Sequence, residues 1–203
     1  MAAVMDAAYA APGLYWGAEP NDLCLRVLNL LGPGVASRRL VDLGCGEGRD
    51  AVRFARAGME VLAVDVSAVG LEKAARWAAS EGVALRTARA SILDFRLEEP
   101  VDVIYSSGTL HHLPAGLRAE VLRHYREWIR PGGIFAGNAF VERPDIPVPP
   151  DWTPEEHHYR PGELLGHFAG WEVLSASGFS FPCTSGGIPH RHAMDEVVAR
   201  RLR

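Results

Sequence analysis

The chain reads as an α/β protein: a mostly parallel sheet, doubly wound, with helices on both faces. Three observations carry that expectation. Over the first 140 residues, short apolar runs alternate with segments of helical spacing. The apolar runs lack a polar face, as strands covered on both sides must. The turns between them are short, so the strands connect by crossovers that are expected to be right-handed.

The elements follow in order. Leu23, Leu25, Val27, Leu28, Leu30 and Leu31 suit a helix that Asn21 or Asp22 caps and Gly32-Pro33-Gly34 ends. "RRLVDL" (38–43) is a compact buried strand, and "GRDAVRFARAG" (48–58) a helix closed by Gly58. "MEVLAVDV" (59–66) is a second strand, apolar until Asp65. Ser67 caps a helix that runs through Trp77 and ends near Gly82. "ALRTA" (84–88) and "VDVIYSS" (101–107) are the third and fourth strands. "AGLRAEVLRHYREWI" (115–129) is a helix broken by "RPGG", and "GGIFAGNAFV" (132–141) is the fifth strand. Pro144, Pro147, Pro149, Pro150 and Pro154 then make 141–160 a loop of the kind that forms lids or substrate walls. "PGELLGHFAG" (161–170) is a last helix, with "WEVLSASGFSF" (171–181) and "MDEVVARR" (194–201) as closing strands.

With 203 residues, the chain fits one domain, 1–203, with a cover segment and helix over 1–34. A formal charge of -4 argues against nucleic acid as partner, and the basic "ARRLR" near the C-terminus suits a solvated tail. No apolar run approaches the ~20 residues that span a bilayer. The opening "MAAVMDAAYAAPG" lacks the basic front of a secretory signal. Cys24, Cys45 and Cys183 form an odd, scattered set without a CxxC pair, which points to a reducing, cytoplasmic setting. Monomer and homodimer are both compatible with this reading.

The informative stretch is "VDLGCGEGRD" (41–50), where Gly44, Gly46 and Gly48 join a strand to a helix. A tight turn accounts for an isolated Gly-x-Gly equally well. Two features favour a ligand. The spacing is neither that of dinucleotide folds nor that of a phosphate-binding P-loop. The next strand ends in Asp65, whose carboxylate can accept both hydroxyls of a ribose. An adenosine ligand without a diphosphate fits both. A nicotinamide-dependent oxidoreductase is the competing class, and the glycine spacing opposes it.

"VDLGCGEGRD", "VLAVDVS", "VDVIYSSGTLHHL" and "IRPGGIF" resemble, in order and distance, the signature segments of class I S-adenosylmethionine-dependent methyltransferases. The resemblance implies a Rossmann-like, mostly parallel seven-stranded sheet whose last strand is antiparallel. It implies S-adenosylmethionine as cofactor and S-adenosylhomocysteine as product. Gly44 and Gly46 would approach the methionine half, Asp42 would orient the loop or reach the amino group, and Asp65 would bind the ribose. Cys45, a small filler rather than a nucleophile, joins the implied cofactor contacts with Val66, Ser106 and Trp16. Arg49 belongs there too. It opposes the dipole of the helix it begins, which calls for a partner: the acceptor, or an acid on the N-terminal segment. After the third strand the family carries an acid where this chain has Ser91. The adenine contact then falls to Ser91 and the Ile92 backbone, or to Asp94, which reads equally well as a solvated turn residue.

"GLYWGAEPNDL", "HHYRPGELLGHFAGWEVL" and "HRHAMDEVVARR" look like the tellurite-resistance methyltransferases and their small-thiol relatives. That likeness implies a small acceptor, an oxyanion such as tellurite or selenite or a thiol, faced by His190 and Arg191. A shifted register gives the role to His192. Cations there suit an anionic acceptor. His111, after the fourth strand, is either a base or a packing residue. His157 and His158 line a lid or are solvated, and Tyr15 and Trp16 cover the cofactor or pack a helix. His190 and His192 share a strand face. With no carboxylate or cysteine near them, no metal is expected. An O- or N-methyltransferase of the same fold, or a binder that has lost catalysis, are the other readings.

Overall fold

The computed structural model describes residues 2–184 and 187–203. Its elements are α1 (Ala2–Tyr9), α2 (Asp22–Leu31), β1 (Arg39–Leu43), α3 (Arg49–Arg56), β2 (Glu60–Asp65), α4 (Ala68–Ser80) and β3 (Arg86–Arg89). They continue with β4 (Val101–Ser106), α5 (Ala115–Trp128), β5 (Ile129–Phe140), α6 (Glu163–Gly166), β6 (Glu172–Cys183) and β7 (His190–Arg200). The seven strands lie in the order β3-β2-β1-β4-β5-β7-β6, and β7 runs antiparallel to both its neighbours. The order reverses between β1 and β4, where open α/β sheets bind ligands beyond the strand ends.

Alternate residues of the central strands feed two cores. Val41, Leu43, Ile104 and Phe135 pack on one face with Leu110, Tyr125 and Phe168. Leu40, Val103, Tyr105 and Ile134 pack on the other with Leu23, Val27 and Phe54. Asp42 therefore points to the second face, in register with Tyr105. Ser67 caps α4 as its position suggests, accepting the Gly70 amide on its hydroxyl at 3.0 Å.

Three elements depart from the sequence expectation. α6 is a single turn rather than a ten-residue helix: Gly162 at φ +81 delays its start, and beyond Gly166 the amides of His167 and Phe168 bond three residues back, to Leu164 O and Leu165 O at 3.2 and 2.9 Å. β5 begins at Ile129, three residues early. β7 begins at His190 rather than Met194, because it pairs with β6 along its whole length, from Glu172↔Arg200 to Cys183↔His190. The hairpin thus extends past the end of β5, whose pairing with β7 stops at Phe140↔Met194. α1, in the Ala-rich opening, was not expected as a helix.

The Pro-rich loop is tied at its ends by a bridge between Val141 and Tyr159. Arg118 of α5, only 2% exposed, holds the return of that loop. Its guanidinium donates to Glu163 at 2.6 Å, to the carbonyls of His157 and His158 at 2.5 and 2.9 Å, and to Leu113 O at 3.1 Å. It also lies 3.7 Å from the Tyr159 ring centroid. Removing one partner of a buried pair leaves the others unsatisfied. Arg118→Ala should lower stability by on the order of 3 kcal/mol in urea unfolding. Arg118→Lys should recover only part of it, because an ammonium cannot fork to several carbonyls. A loss below ~1 kcal/mol would contradict this role.

Candidate active site

The glycine loop leaves β1 with Gly44, Gly46 and Gly48 at φ +77, +55 and +87, a conformation that side chains resist. Closeness adds to this. A Cβ on Gly44 would run into the Thr109 side chain, and one on Gly48 would lie 2.6 Å from Ala74 Cβ. Asp65 shapes the loop from the next strand. Its two carboxylate oxygens accept the amides of Gly46 and Ser67, each at 2.8 Å. A carboxylate offers about four lone-pair directions, so capacity remains for further donors.

Acidic groups crowd this end of the sheet. Asp42 is 2% exposed and has no hydrogen-bond partner among the described residues. Burial pushes its pKa well above the carboxylate range, and the charges of Asp50 and Asp65 push it further. Burial also raises Asp65, against the amides of Ser67 and Gly46, which favour its charge. Asp50 is satisfied: it takes the Tyr105 hydroxyl at 2.7 Å and the amide and side chain of Asn21 at 2.8 and 2.6 Å. Burial, with Asp42 and Asp65 nearby, drives the Cys45 thiol up, so Cys45 is no thiolate nucleophile. Such a crevice suits a cation.

The N-terminal segment covers the loop. Asp6 accepts from Ser67 Oγ at 2.6 Å and from the Val69 amide at 3.2 Å. Those bonds hold its carboxyl below the usual range. Tyr9, 3% exposed, stands over Gly46, its hydroxyl 2.8 Å from where a Cβ would be. Trp16 remains 55% exposed; its indole donates to Tyr9 Oη at 3.3 Å and its ring meets Tyr15 edge-on. The aromatic on the loop is therefore Tyr9, not Trp16. Glu47 and Lys73, 2.7 Å apart, pin the segment by accepting the Tyr15 amide and donating to Ala11 O and Gly13 O. Arg49 finds its partners on that segment: the Trp16 carbonyl at 2.9 Å and Asn21 Oδ1 at 2.8 Å, neither of them an acid.

Other expected contacts are engaged internally. Ser106 is fully buried and donates to Leu43 O at 2.9 Å, tying β4 to β1. Ser91 Oγ accepts the Leu93 amide at 3.2 Å, and the Ile92 carbonyl accepts the Tyr125 hydroxyl at 2.7 Å. Val66 is half-buried, its carbonyl accepting from Arg89 at 3.1 Å. Asp94 is exposed.

A second group of side chains continues from the loop. Thr109, against Gly44, leads to a single 3-10 turn at Leu110–His112. His111 is buried, with Nδ1 unpartnered, and burial lowers its pKa well below the usual value, so its ring is neutral. Phe140 links it to β7: the ring centroids of His111 and His192 lie 4.4 and 4.7 Å from that of Phe140. The structure corrects the expectation that His190 and Arg191 face one acceptor. As neighbours in a strand they point to opposite faces. Arg191 turns away to Ser180, donating to its hydroxyl at 2.7 Å and its carbonyl at 3.1 Å. His190 and His192 face Asp151 of the Pro-rich loop, at 3.0 and 3.3 Å. The reason for setting a metal aside is corrected too, since the fold brings both Asp151 and Cys183 to these histidines. Sequence reading missed Asp6, Tyr9, Arg118 and Asp151. Asp6 and Tyr9 share one helix face by their spacing, the only local signal among the four.

Residues 40–133 match the family described as "Methyltransferase domain". The chain is 32% identical over 140 residues to Hemagglutinin 1 of Eikenella corrodens, covering 69% of this chain and 46% of that protein. It is 29% identical over 158 residues to a ubiquinone biosynthesis O-methyltransferase of Caulobacter vibrioides, covering 69% and 61%. The chain thus spans about half to three fifths of these relatives' lengths. Among solved structures, TehB from Haemophilus influenzae superimposes with a TM-score of 0.77 at 19% identity, covering 88% of this chain and 61% of that one. That likeness is one of fold. Among the described residues no helix is long and apolar enough to cross a membrane.

Because the folded state raises the Asp42 pKa, ionising Asp42 costs stability as pH rises above the ordinary carboxylate range. Asp42→Asn should therefore stabilise the protein at pH 7, by roughly 1 kcal/mol, with the advantage shrinking in acid. Urea unfolding at several pH values measures it. A variant less stable than wild type throughout would show that the carboxylate is structural.

Proposed function

Because the chain belongs to the class I S-adenosylmethionine-dependent methyltransferases, we propose that it methylates a small acceptor, with an oxyanion such as tellurite or selenite, or a small thiol, as first choice. The observation that carries the cofactor part of this reading is Asp42, a buried carboxylate without a partner beneath the glycine loop; the acceptor class rests on the resemblance of the sequence. A ligand with an amino-acid tail brings the ammonium that such a group lacks. When bound, S-adenosylmethionine supplies an activated methyl on a sulfonium, so the protein's work is alignment, exclusion of water and management of protons.

Asp42 holds the ammonium, Gly44 and Gly46 let backbone approach the ligand, and Asp65 accepts the ribose hydroxyls on its remaining lone pairs. The N-terminal cover shuts out water, and Tyr9 must shift from Gly46 for entry. His111, neutral at pH 7 with Nδ1 unpartnered, accepts a proton from a protonated acceptor or fixes its orientation. His192, stacked on Phe140, lines the same wall. Cys45, Val66, Ser91, Ile92, Ser106 and Arg49 support the crevice from behind. An oxygen or nitrogen of a small molecule is the second acceptor class, the oxygen favoured by the similarity to the Caulobacter O-methyltransferase.

The test is S-adenosylhomocysteine formation with tellurite, selenite, small thiols, phenols and amines. Product with an oxyanion or thiol supports the first reading. Product with phenols alone moves the assignment to oxygen, and tight cofactor binding without product makes the chain a binder. Asp65→Ala should weaken cofactor binding by ~1–3 kcal/mol, about 5- to 150-fold. His111→Gln should leave that affinity unchanged while lowering turnover ~100-fold or more if it moves the proton.

A further inference from the structure

At the far end of the β6–β7 hairpin, four side chains from three segments converge. Cys183 ends β6 and pairs with His190 across the ladder, His192 follows two residues on, and Asp151 reaches over from the Pro-rich loop. The ligating atoms of all four lie within 4.8 Å of one another. The two Nε2 atoms are 2.9 Å apart, and each faces one oxygen of Asp151, at 3.0 and 3.3 Å. His190 Nδ1 is 2.6 Å from the Ile188 carbonyl, an acceptor, so Nδ1 carries the proton. The His190 Nε2 faces both a carboxylate oxygen and a second imidazole nitrogen. A proton on His192 Nε2 can be directed at only one of these, and the other contact stays repulsive. One cation among the four groups satisfies them together.

The donors select the cation. Two imidazoles, a thiolate and a carboxylate form the mixed nitrogen, sulfur and oxygen set of zinc-class ions, and four protein ligands complete a tetrahedron. Nitrogens bound to one tetrahedral zinc lie about 3.3 Å apart, a few tenths of an ångström from the present spacing. A backbone carbonyl holding the distal nitrogen of a histidine, as Ile188 holds His190, is the usual support for such a ligand. We propose that Asp151, Cys183, His190 and His192 form a tetrahedral site for a zinc-class divalent ion that clasps the Pro-rich loop to the β6–β7 hairpin. Binding releases the Cys183 thiol proton and leaves no coordination position open, so the role is structural. The loop, already tied near its ends by the Val141–Tyr159 bridge and Arg118, gains an anchor at its middle. Because His192 stacks on Phe140, the same ion stiffens the wall beside His111. The site stands independently of methyl transfer.

The test uses the full chain, stripped with a chelator and titrated with Zn²⁺ or Co²⁺. We expect one equivalent of metal per chain, and a cobalt spectrum with tetrahedral d–d intensity and a thiolate charge-transfer band. Cys183→Ser should abolish that band, and His192→Ala should weaken zinc binding at least tenfold. Zinc should also slow proteolysis within 141–160 in the wild type, a readout that does not depend on any variant folding. The absence of stoichiometric binding, a charge-transfer band that survives Cys183→Ser, or an unchanged cleavage rate at saturating zinc would each overturn the clasp.

Discussion

The glycine loop and the start of α4 depend on the Asp65 carboxylate. One oxygen holds the Gly46 amide and the other the Ser67 amide, so the turn after β1 and the start of α4 behave as one body. The turns that follow the neighbouring strands β1 and β2 are thereby held to each other. Beneath the glycine turn lies Asp42, on the strand face of Tyr105, 2% exposed and without a hydrogen-bond partner among the described residues. A buried unpaired carboxylate lowers stability, and proteins retain such groups where a ligand supplies the missing charge. On the proposed reading, the ligand's ammonium fills that interaction.

A cover completes it. Asp6 and Tyr9 attach α1 to Ser67 and Gly46, and Glu47 with Lys73 ties down the chain that follows. Arg49 joins in from the first turn of α3, where its charge opposes the helix dipole but its partners lie on the segment to be held. Opposite the cover, the wall runs from Thr109 through His111 and Phe140 to His192. This wall joins the parallel part of the sheet to the antiparallel hairpin.

What the sequence disclosed and what it hid divide by range. β1, α3, β2 and α4 follow from apolar runs, a glycine turn and the Ser67 cap, all local signals, and the structure forms them with small shifts at the ends. The glycine loop and Asp65 were legible for the same reason. Arg118 was not. It occupies an unremarkable polar position in α5, and all its partners but the Leu113 carbonyl lie 39 to 45 residues later, so nothing near it in the sequence marks it as buried. Asp151 meets His192 across 41 residues of chain, and only the hairpin's overshoot past β5 brings them together. The start of β7 was misjudged because His190, Arg191 and His192 break the apolar pattern, whereas pairing with β6 decides the strand. Tyr9 lay in an Ala-rich opening whose composition concealed a helix.

A crystal structure of the chain with S-adenosylhomocysteine tests the central claim most directly. The account predicts the ligand's ammonium within hydrogen-bonding distance of Asp42, its ribose on Asp65, and the Tyr9 ring moved from its seat over Gly46. A ligand lying elsewhere, or one in the crevice with Asp42 still without a partner, would contradict it.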